Sequence, residues 1–406
     1  MKIIIINTVV KEGSTGKIAY GLYNHLIGSG HDCKVCYGRG EIYPDEPDLI
    51  RIDSKHEVYI HAGLARVTGL QGYYSRKATG KLLSILDKFN PNVVYLFNLH
   101  GYYLNEFNTL NYLKQNNKKT VYVMLDEYPF LGKCCYNFDC MRYQEGCGKC
   151  PDINGYPKSV IYDRSQKIWN RKNEIYNGYN NIRFASVPYT VTKAKQSTLL
   201  RNKKFFELDT GVDLDVFSPR NSSDLHIKHQ IPEDELIALC VANYSDKRKG
   251  SQFFLDTAFL SKHKNVCFIH VGFNVKTKDY PSNFIPVSYI KDQDELAEYY
   301  SLADILVCPS LADAMPNVCL EALGCGTPVC GFDCGGTPYT ASQEYGTFVP
   351  VGDIQALAEV ILKTPKKTQE RIKKCRDYAL SRFSHEMYFK KLESFVMSEG
   401  DINDSV

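Results

Sequence analysis

Short apolar runs recur along the chain, each followed by a turn-forming stretch and then by apolar residues at helical spacing. The first run, Ile3 to Ile6, ends at Asn7; a loop with Gly13 and Gly16 follows, then an amphipathic pattern from Lys17 to Ile27. Strand, glycine loop and helix in that order open a doubly wound sheet. Asp32–Tyr37, Val93–Phe97, Thr120–Leu125 and Ile182–Ser186 read as further strands, with helices between several of them, and Phe205–Leu208 closes this half. A second βα series starts at Leu236–Ala242 and continues through Val266–Val271, Phe284–Ser288, Ile305–Cys308, Val329–Phe332 and Thr347–Val349. Between the two series stands TGVDLDVFSPRNSS, whose Gly, Asp, Pro and Ser content marks a domain boundary. The pattern predicts an α/β protein with two Rossmann-like, doubly wound domains. The first occupies 1–208, a linker 209–222, the second domain 223–383, and a C-terminal helix with a tail 384–406.

Size agrees with two domains: 406 residues are too many for one typical core. Hydrophobic content of 44% and charged content of 23% are ordinary for a globular protein, and a formal charge of +3 is too small to point to nucleic acid. Neither a signal peptide nor an apolar run of about 18 residues stands out, so a cytoplasmic protein with at most peripheral membrane contact is expected. Fifteen cysteines without a secretion signal argue for reduced thiols rather than a disulfide scaffold.

The most informative stretch is ADILVCPSLADAMPNVCLEALGCGTPVCGFDCGGTPY, from Ala303 to Tyr339. It reads as strand, loop, helix, strand and a Gly335-Gly336 turn, with Pro316 suited to the first turn of the helix and Gly324 and Gly326 to its end. Were the whole interval between Asp313 and Glu321 helical, the two acids would stand roughly 12 Å apart, about the spread of a nucleotide sugar from ribose to sugar ring. Unpaired N–H groups at the helix start would face an anion between them. The spacing DAMPNVCLE followed by Gly-Thr-Pro-Val resembles the signature of the retaining glycosyltransferases of family four, which have the GT-B fold. Asp313 stands where that family usually has Glu. The linker resembles the same family through Gly211-Val212-Asp213 and Phe217-Ser218-Pro219. The resemblance implies an acceptor-binding first domain and a nucleotide-sugar-binding second domain facing a cleft, with the last helix, about His385 to Val396, crossing back to the first domain.

In VANYSDKRKGSQFFLDTAF a strand ends near Ala242 and the next loop carries Lys247, Arg248, Lys249 and Gly250. Cations there would neutralise a diphosphate. The piece resembles the family's basic loop: Lys249 matches its Lys, while Asn243 stands in place of its upstream Arg and retains a hydrogen-bond donor. The resemblance implies that Lys249, seconded by Arg248, stabilises the leaving phosphate and that Glu321 binds the ribose hydroxyls. Asp313 would bind hydroxyls of the transferred sugar, helped by backbone N–H groups near Met315 and Asn317. Thr327 lies where a hydroxyl could meet the diphosphate, and Gly335 and Gly336 would bring backbone close to base or sugar. Without an Asp-x-Asp motif in a suitable loop, no catalytic metal is expected; Lys249 and the helix entering at Pro316 carry the electrostatics. A nucleoside-diphosphate sugar is the implied co-substrate, with UDP and GDP undecided.

On the acceptor side, EGSTG places Gly13 and Gly16 between the first strand and helix, and matches the family's loop that admits acceptor and diphosphate close to the backbone. LFNLHGYYLN sets His100 just beyond a strand end, where a structural and a functional histidine are equally expected. VMLDEYPFLGKC resembles a stretch in which a His usually precedes the Asp; here that position is Leu125, which leaves Asp126 and Glu127 as the polar candidates. The insert at 134–150, CCYNFDCMRYQEGCGKC, resembles a Cys-rich insert of relatives that build bacterial surface polysaccharides, with Cys134, Cys140, Cys147 and Cys150 matching. Structural zinc on those four, reduced thiols, and disulfides or a redox role all remain open. From Val58 to Leu86 there is no acidic residue, while Arg66, Arg76, Lys77 and Lys81 stand among apolar residues. That suits either a solvated helix or docking on anionic lipid of the inner membrane's cytoplasmic face.

Together these features read as a retaining glycosyltransferase that moves a sugar to a saccharide acceptor, lipid-linked or free, in capsule, exopolysaccharide or O-antigen synthesis. The alternatives are a nucleotide-sugar epimerase or hydrolase on the same architecture, and a catalytically silent partner of an assembly complex.

Overall fold

The computed structural model describes residues 1–275 and 279–397. The chain forms two compact units, Met1–Leu208 with the residues from Phe389 on, and Asp209–Tyr388.

In the first unit, β1 (Lys2–Asn7), β2 (Asp32–Tyr37), β3 (Leu49–Arg51), β4 (Val93–Leu96), β5 (Lys119–Val123), β6 (Ile182–Ser186) and β7 (Lys204–Glu207) build one sheet in the order β3-β2-β1-β4-β5-β6-β7. All neighbours run parallel. Ile3 to Ile6 are fully buried at its centre, as both-face burial of a parallel sheet requires. The short edge strand β3 has no apolar alternation and was not legible as a strand. The second unit holds β8 (Leu236–Val241), β9 (Val266–Val271), β10 (Phe284–Val287), β11 (Ile305–Cys308), β12 (Val329–Phe332) and β13 (Gly346–Val349), in the order β10-β9-β8-β11-β12-β13. It too is parallel throughout. Each sheet reverses its strand order once, between β1 and β4 and between β8 and β11. In open α/β sheets ligands bind outside the carboxyl ends of the strands at such a reversal.

Residues 209–222, expected as a linker, belong to the second unit. Val212, Leu214 and Phe217 are buried, and Arg376 donates to the carbonyls of Leu214 (2.6 Å) and Phe217 (2.6 Å). The polar composition hid three apolar anchors at irregular spacing. The last helix, His385–Met397, belongs to the first unit from Phe389 on rather than from 384. There Tyr95 donates to the Leu392 carbonyl (2.8 Å), Phe206 stacks on Phe395 with ring centroids 4.6 Å apart, and Glu393 meets His25 (2.7 Å) and His31 (2.8 Å). The tail from 398 lies outside the described residues. Among the described residues no helix is long and apolar enough to cross a membrane.

Each unit buries a histidine among aromatic rings, away from the strand reversals. His61 packs between the rings of Tyr74 and Tyr102, and His270 lies among Tyr244, Phe254 and Phe273. Burial pushes both imidazoles down to about 4. As pH falls below about 6.5 the unfolded chain takes up protons that the folded chain refuses, so this stability is whole above that pH and is lost toward pH 4. The loss is on the order of 2–3 kcal/mol per histidine. Thermal melts at pH 7 and pH 4.5 should show the midpoint falling, and His270→Leu should make the fall smaller; a midpoint independent of pH would refute the assignment.

Candidate active site

The loops that leave β8 and β11, the two strands at the second reversal, carry the basic and acidic residues singled out above. Asp246 caps a short 3₁₀ turn, Lys247–Lys249, by accepting from the Arg248 N–H (3.1 Å). The turn ends at Gly250, with φ +66°, where a Cβ would stand 1.8 Å from the Pro309 carbonyl oxygen. Glycine there lets the basic turn lie against the β11 loop, and the Leu311 N–H donates to the Arg248 carbonyl (2.7 Å). On this base Lys249 Nζ donates to Asp313 Oδ2 (2.7 Å), and Arg248 reaches the same oxygen (3.2 Å), the Ala312 carbonyl (2.8 Å) and Asp246 (3.1 Å). Although burial works against its charge, the Asp313 carboxylate holds the Lys249 ammonium above its ordinary value. Arg248 is thus a latch between the two loops.

Asp313 sits in the loop before the helix, which spans Asn317–Gly324 with Pro316 as its cap residue. The interval to Glu321 is therefore half loop, and the all-helix separation does not apply. Glu321 projects from the helix and accepts from the Tyr300 hydroxyl (2.7 Å). Burial, reinforced by the Glu321 charge, pushes the Tyr300 phenol well above its usual range and keeps it a donor.

Other expectations change. Thr327 is fully buried; its hydroxyl donates to the Tyr300 carbonyl (2.6 Å) and accepts from Lys367 (2.8 Å). It therefore braces the chain behind Tyr300 and does not face a diphosphate. Burial, only partly offset by Asp304, pushes the Lys367 ammonium down to about 8. Gly335 and Gly336 bring backbone close to the Asp313 loop itself: Gly336 N–H donates to the Asp313 carbonyl (2.8 Å), and a Cβ on Gly336 would lie 1.6 Å from the Ala314 oxygen. Asn243 is exposed and its Oδ1 accepts from the Ser245 N–H (3.0 Å), shaping the start of the basic turn.

At the reversal of the first sheet, Asn7 ties the two loops together, donating to the carbonyls of Val9 (2.8 Å) and Thr15 (3.1 Å) and accepting from the Asn98 N–H (3.2 Å). Gly13 opens the helix Gly13–Gly28, and Gly16 packs on the backbone of Val10 and Lys11. Thr8 donates to the His100 carbonyl (2.7 Å). His100 Nε2 lies 2.7 Å from Asp126 Oδ2, and its Nδ1 lies 3.3 Å from the Tyr156 hydroxyl. Asp126 also accepts from the Tyr128 N–H (3.0 Å). Glu127 turns the other way: it is buried, paired with Lys193, and accepts from the Asn137 N–H (2.7 Å). Burial, opposed by Lys193, leaves its carboxyl above the usual range. Glu127 thus holds the base of the Cys-rich insert and is withdrawn from the acceptor candidates.

None of the fifteen cysteines is paired in a disulfide among the described residues. Cys134, Cys140, Cys147 and Cys150 share one insert, and no three of them bring their sulfurs within 4.8 Å of one another. Among the described residues, the one group of three or more metal-ligating side chains whose ligand atoms lie within 4.8 Å of one another is His100, Asp126 and Cys135. Cys147 instead accepts from the Gly132 N–H (3.2 Å), and burial pushes the Cys134 thiol up to about 12 and that of Cys147 up to about 11. The hydrogen bonds above engage His100 and Asp126 and fix the orientation of the imidazole ring. Tyr300, Lys367, Lys193 and Tyr156 escaped sequence reasoning because each meets its partner from a different element.

Residues 235–365 match the family described as Glycosyl transferases group 1. Among curated relatives, a protein named for colanic acid biosynthesis as glycosyl transferase WcaC in Escherichia coli (strain K12) is 22% identical over 346 residues, 81% of this chain and 82% of that protein. Among solved structures, the sucrose-phosphate synthase of Thermosynechococcus elongatus superposes with a TM-score of 0.66 at 16% identity, covering 98% of this chain and 100% of that one. HepE of Anabaena, solved with UDP-glucose, gives a TM-score of 0.64 at 13% identity, covering 98% of this chain and 99% of that one. The chain is a glycosyltransferase with the GT-B fold, and its second unit carries the group 1 domain.

Proposed function

We propose that the protein transfers a sugar, with retention of anomeric configuration, from a nucleoside diphosphate to a saccharide acceptor in surface-polysaccharide assembly, and that this acceptor is lipid-linked. The observation that carries the reading is the pairing of Lys249 and Arg248 on Asp313, at the strand reversal, with Glu321 held by Tyr300 one helix away. A diphosphate entering here takes over the two cations; Asp313 and Glu321 then accept from sugar and ribose hydroxyls. The bond from the anomeric carbon to the phosphate oxygen breaks while the acceptor oxygen bonds to that carbon from the same face. The acceptor proton passes to the departing phosphate oxygen, so the chain supplies charge stabilisation and not a base. The relatives named for colanic acid biosynthesis and solved with UDP-glucose support the pathway and make uridine donors the first to try.

Calorimetric titration with UDP- and GDP-sugars tests the donor site. Glu321→Ala is expected to weaken donor binding roughly 10–100-fold, the loss of charged hydrogen bonds. Equal affinity in the variant would remove Glu321 from the site, and absence of binding to every nucleotide sugar would remove the reading. Anomeric analysis of the product by NMR tests retention.

A further inference from the structure

The helix Lys55–Thr68 is apolar on both faces. Val58, His61, Ala62 and Ala65 face the core, while Tyr59, Ile60, Leu64 and Val67 face solvent, with Tyr59 76% exposed. A helix apolar all round normally has a partner on every side. The exposed face continues into a neighbouring segment: the Val160 N–H donates to the Arg66 carbonyl (2.8 Å), and the Tyr162 carbonyl lies 2.3 Å from where a Cβ on Gly69 would stand. Val160, Ile161 and Tyr162 are all exposed. Around this surface stand the exposed Arg66, Lys158 and Arg164, the last with its guanidinium 5.3 Å from the Tyr162 ring. Arg76 and Lys77 are also exposed and follow Ser75, whose hydroxyl lies 2.8 Å from His61. Of the acids nearby, Glu57 is half-buried at the helix start, and Asp163, though exposed, has its carboxylate engaged by the N–H groups of Cys150 (2.7 Å) and Ser165 (2.9 Å).

We propose that this face docks on an anionic lipid bilayer, the tyrosines and aliphatic side chains entering the interface and the arginines and lysines meeting lipid phosphates. A second copy of the chain is a poorer occupant, since a two-fold contact would gather the like charges of Arg66, Lys158 and Arg164 from both copies into one interface. The inference deepens the proposed function and rests on its lipid-linked acceptor, which lies where such a face would hold the enzyme. It also narrows the docking surface expected over Val58–Leu86 to the outer side of the helix Lys55–Thr68 and the residues around it; Lys81 is tied to the Arg51 carbonyl (2.7 Å).

Flotation of the full chain with phosphatidylcholine vesicles, with and without phosphatidylglycerol, tests it. The protein should float with the anionic vesicles, stay behind with the neutral ones and be released by salt. The variant Ile60→Ser/Leu64→Ser/Val67→Ser should lower the bound fraction about tenfold. Should that variant not fold, Lys158→Glu/Arg164→Glu reads the same surface through its charge. Failure to float with anionic vesicles, or variants that float like the wild type, would overturn the proposal. So would a dimer in sedimentation that the apolar variant abolishes. Nucleotide-sugar calorimetry on the same samples separates the two readings: donor binding without flotation sinks the docking face alone, and flotation without donor binding sinks the proposed function alone.

Discussion

Lys249→Ala is expected to slow sugar transfer by roughly 10²–10³-fold, the usual consequence of removing one preorganised charge from a site where negative charge develops. The ammonium is the closest cation to Asp313, at 2.7 Å, against 3.2 Å for Arg248. Without it Asp313 keeps one shared partner and its carboxylate repels the departing diphosphate. The loss of stability should be small beside the loss of rate, because Arg248 still pairs with Asp313 (3.2 Å). The signature is therefore a large fall in kcat at a nearly constant melting temperature. Lys249→Arg should recover only part of the rate, since a planar fork does not reproduce a point charge. Transfer within tenfold of the wild type would exclude Lys249 from the chemistry.

Gly250→Ala is expected to lose transfer by the opposite route, with every charged side chain still present. At φ +66° a Cβ costs about 1–2 kcal/mol, and its position 1.8 Å from the Pro309 oxygen forces the basic turn away from the β11 loop at about 1–3 kcal/mol more. For a domain of this size the sum lowers the melting temperature by about 5–15 °C. Displacing the turn also breaks the Leu311 to Arg248 hydrogen bond that sets Lys249 against Asp313. Thermal unfolding and donor titration of the two variants thus separate a site that has lost its charge from one that has lost its shape. An unchanged melting temperature for Gly250→Ala would show that the loops do not depend on this contact.

The βα alternation was legible because buried parallel strands leave uninterrupted apolar runs, such as Ile3–Ile6 and Ile305–Cys308. The candidate site was legible where its members are local in sequence, as with Asp313, Pro316 and Glu321, or lie in one turn, as with Arg248 and Lys249. What escaped depends on convergence. Thr327 follows a glycine at the head of a strand, a position that suits a ligand or a brace equally well until Lys367 and Tyr300 are seen beside it. The resemblance singled out Cys134, Cys140, Cys147 and Cys150, whereas packing brought Cys135 to His100 and Asp126. Glycines carried a similar ambiguity: Gly335 and Gly336 promised a close approach, and the partner proved to be the chain's own Asp313 loop.

The return of the segment from Phe389 to the first unit has a consequence for biogenesis. The first unit leaves the ribosome first but lacks Phe395 and Glu393 until residues 209–388 have followed. At about 5–20 residues per second that interval lasts about 10–40 s, during which the ring of Phe206 and the imidazoles of His25 and His31 await their partners. The nascent chain thus offers chaperones a defined seam that closes only after the second unit has been made.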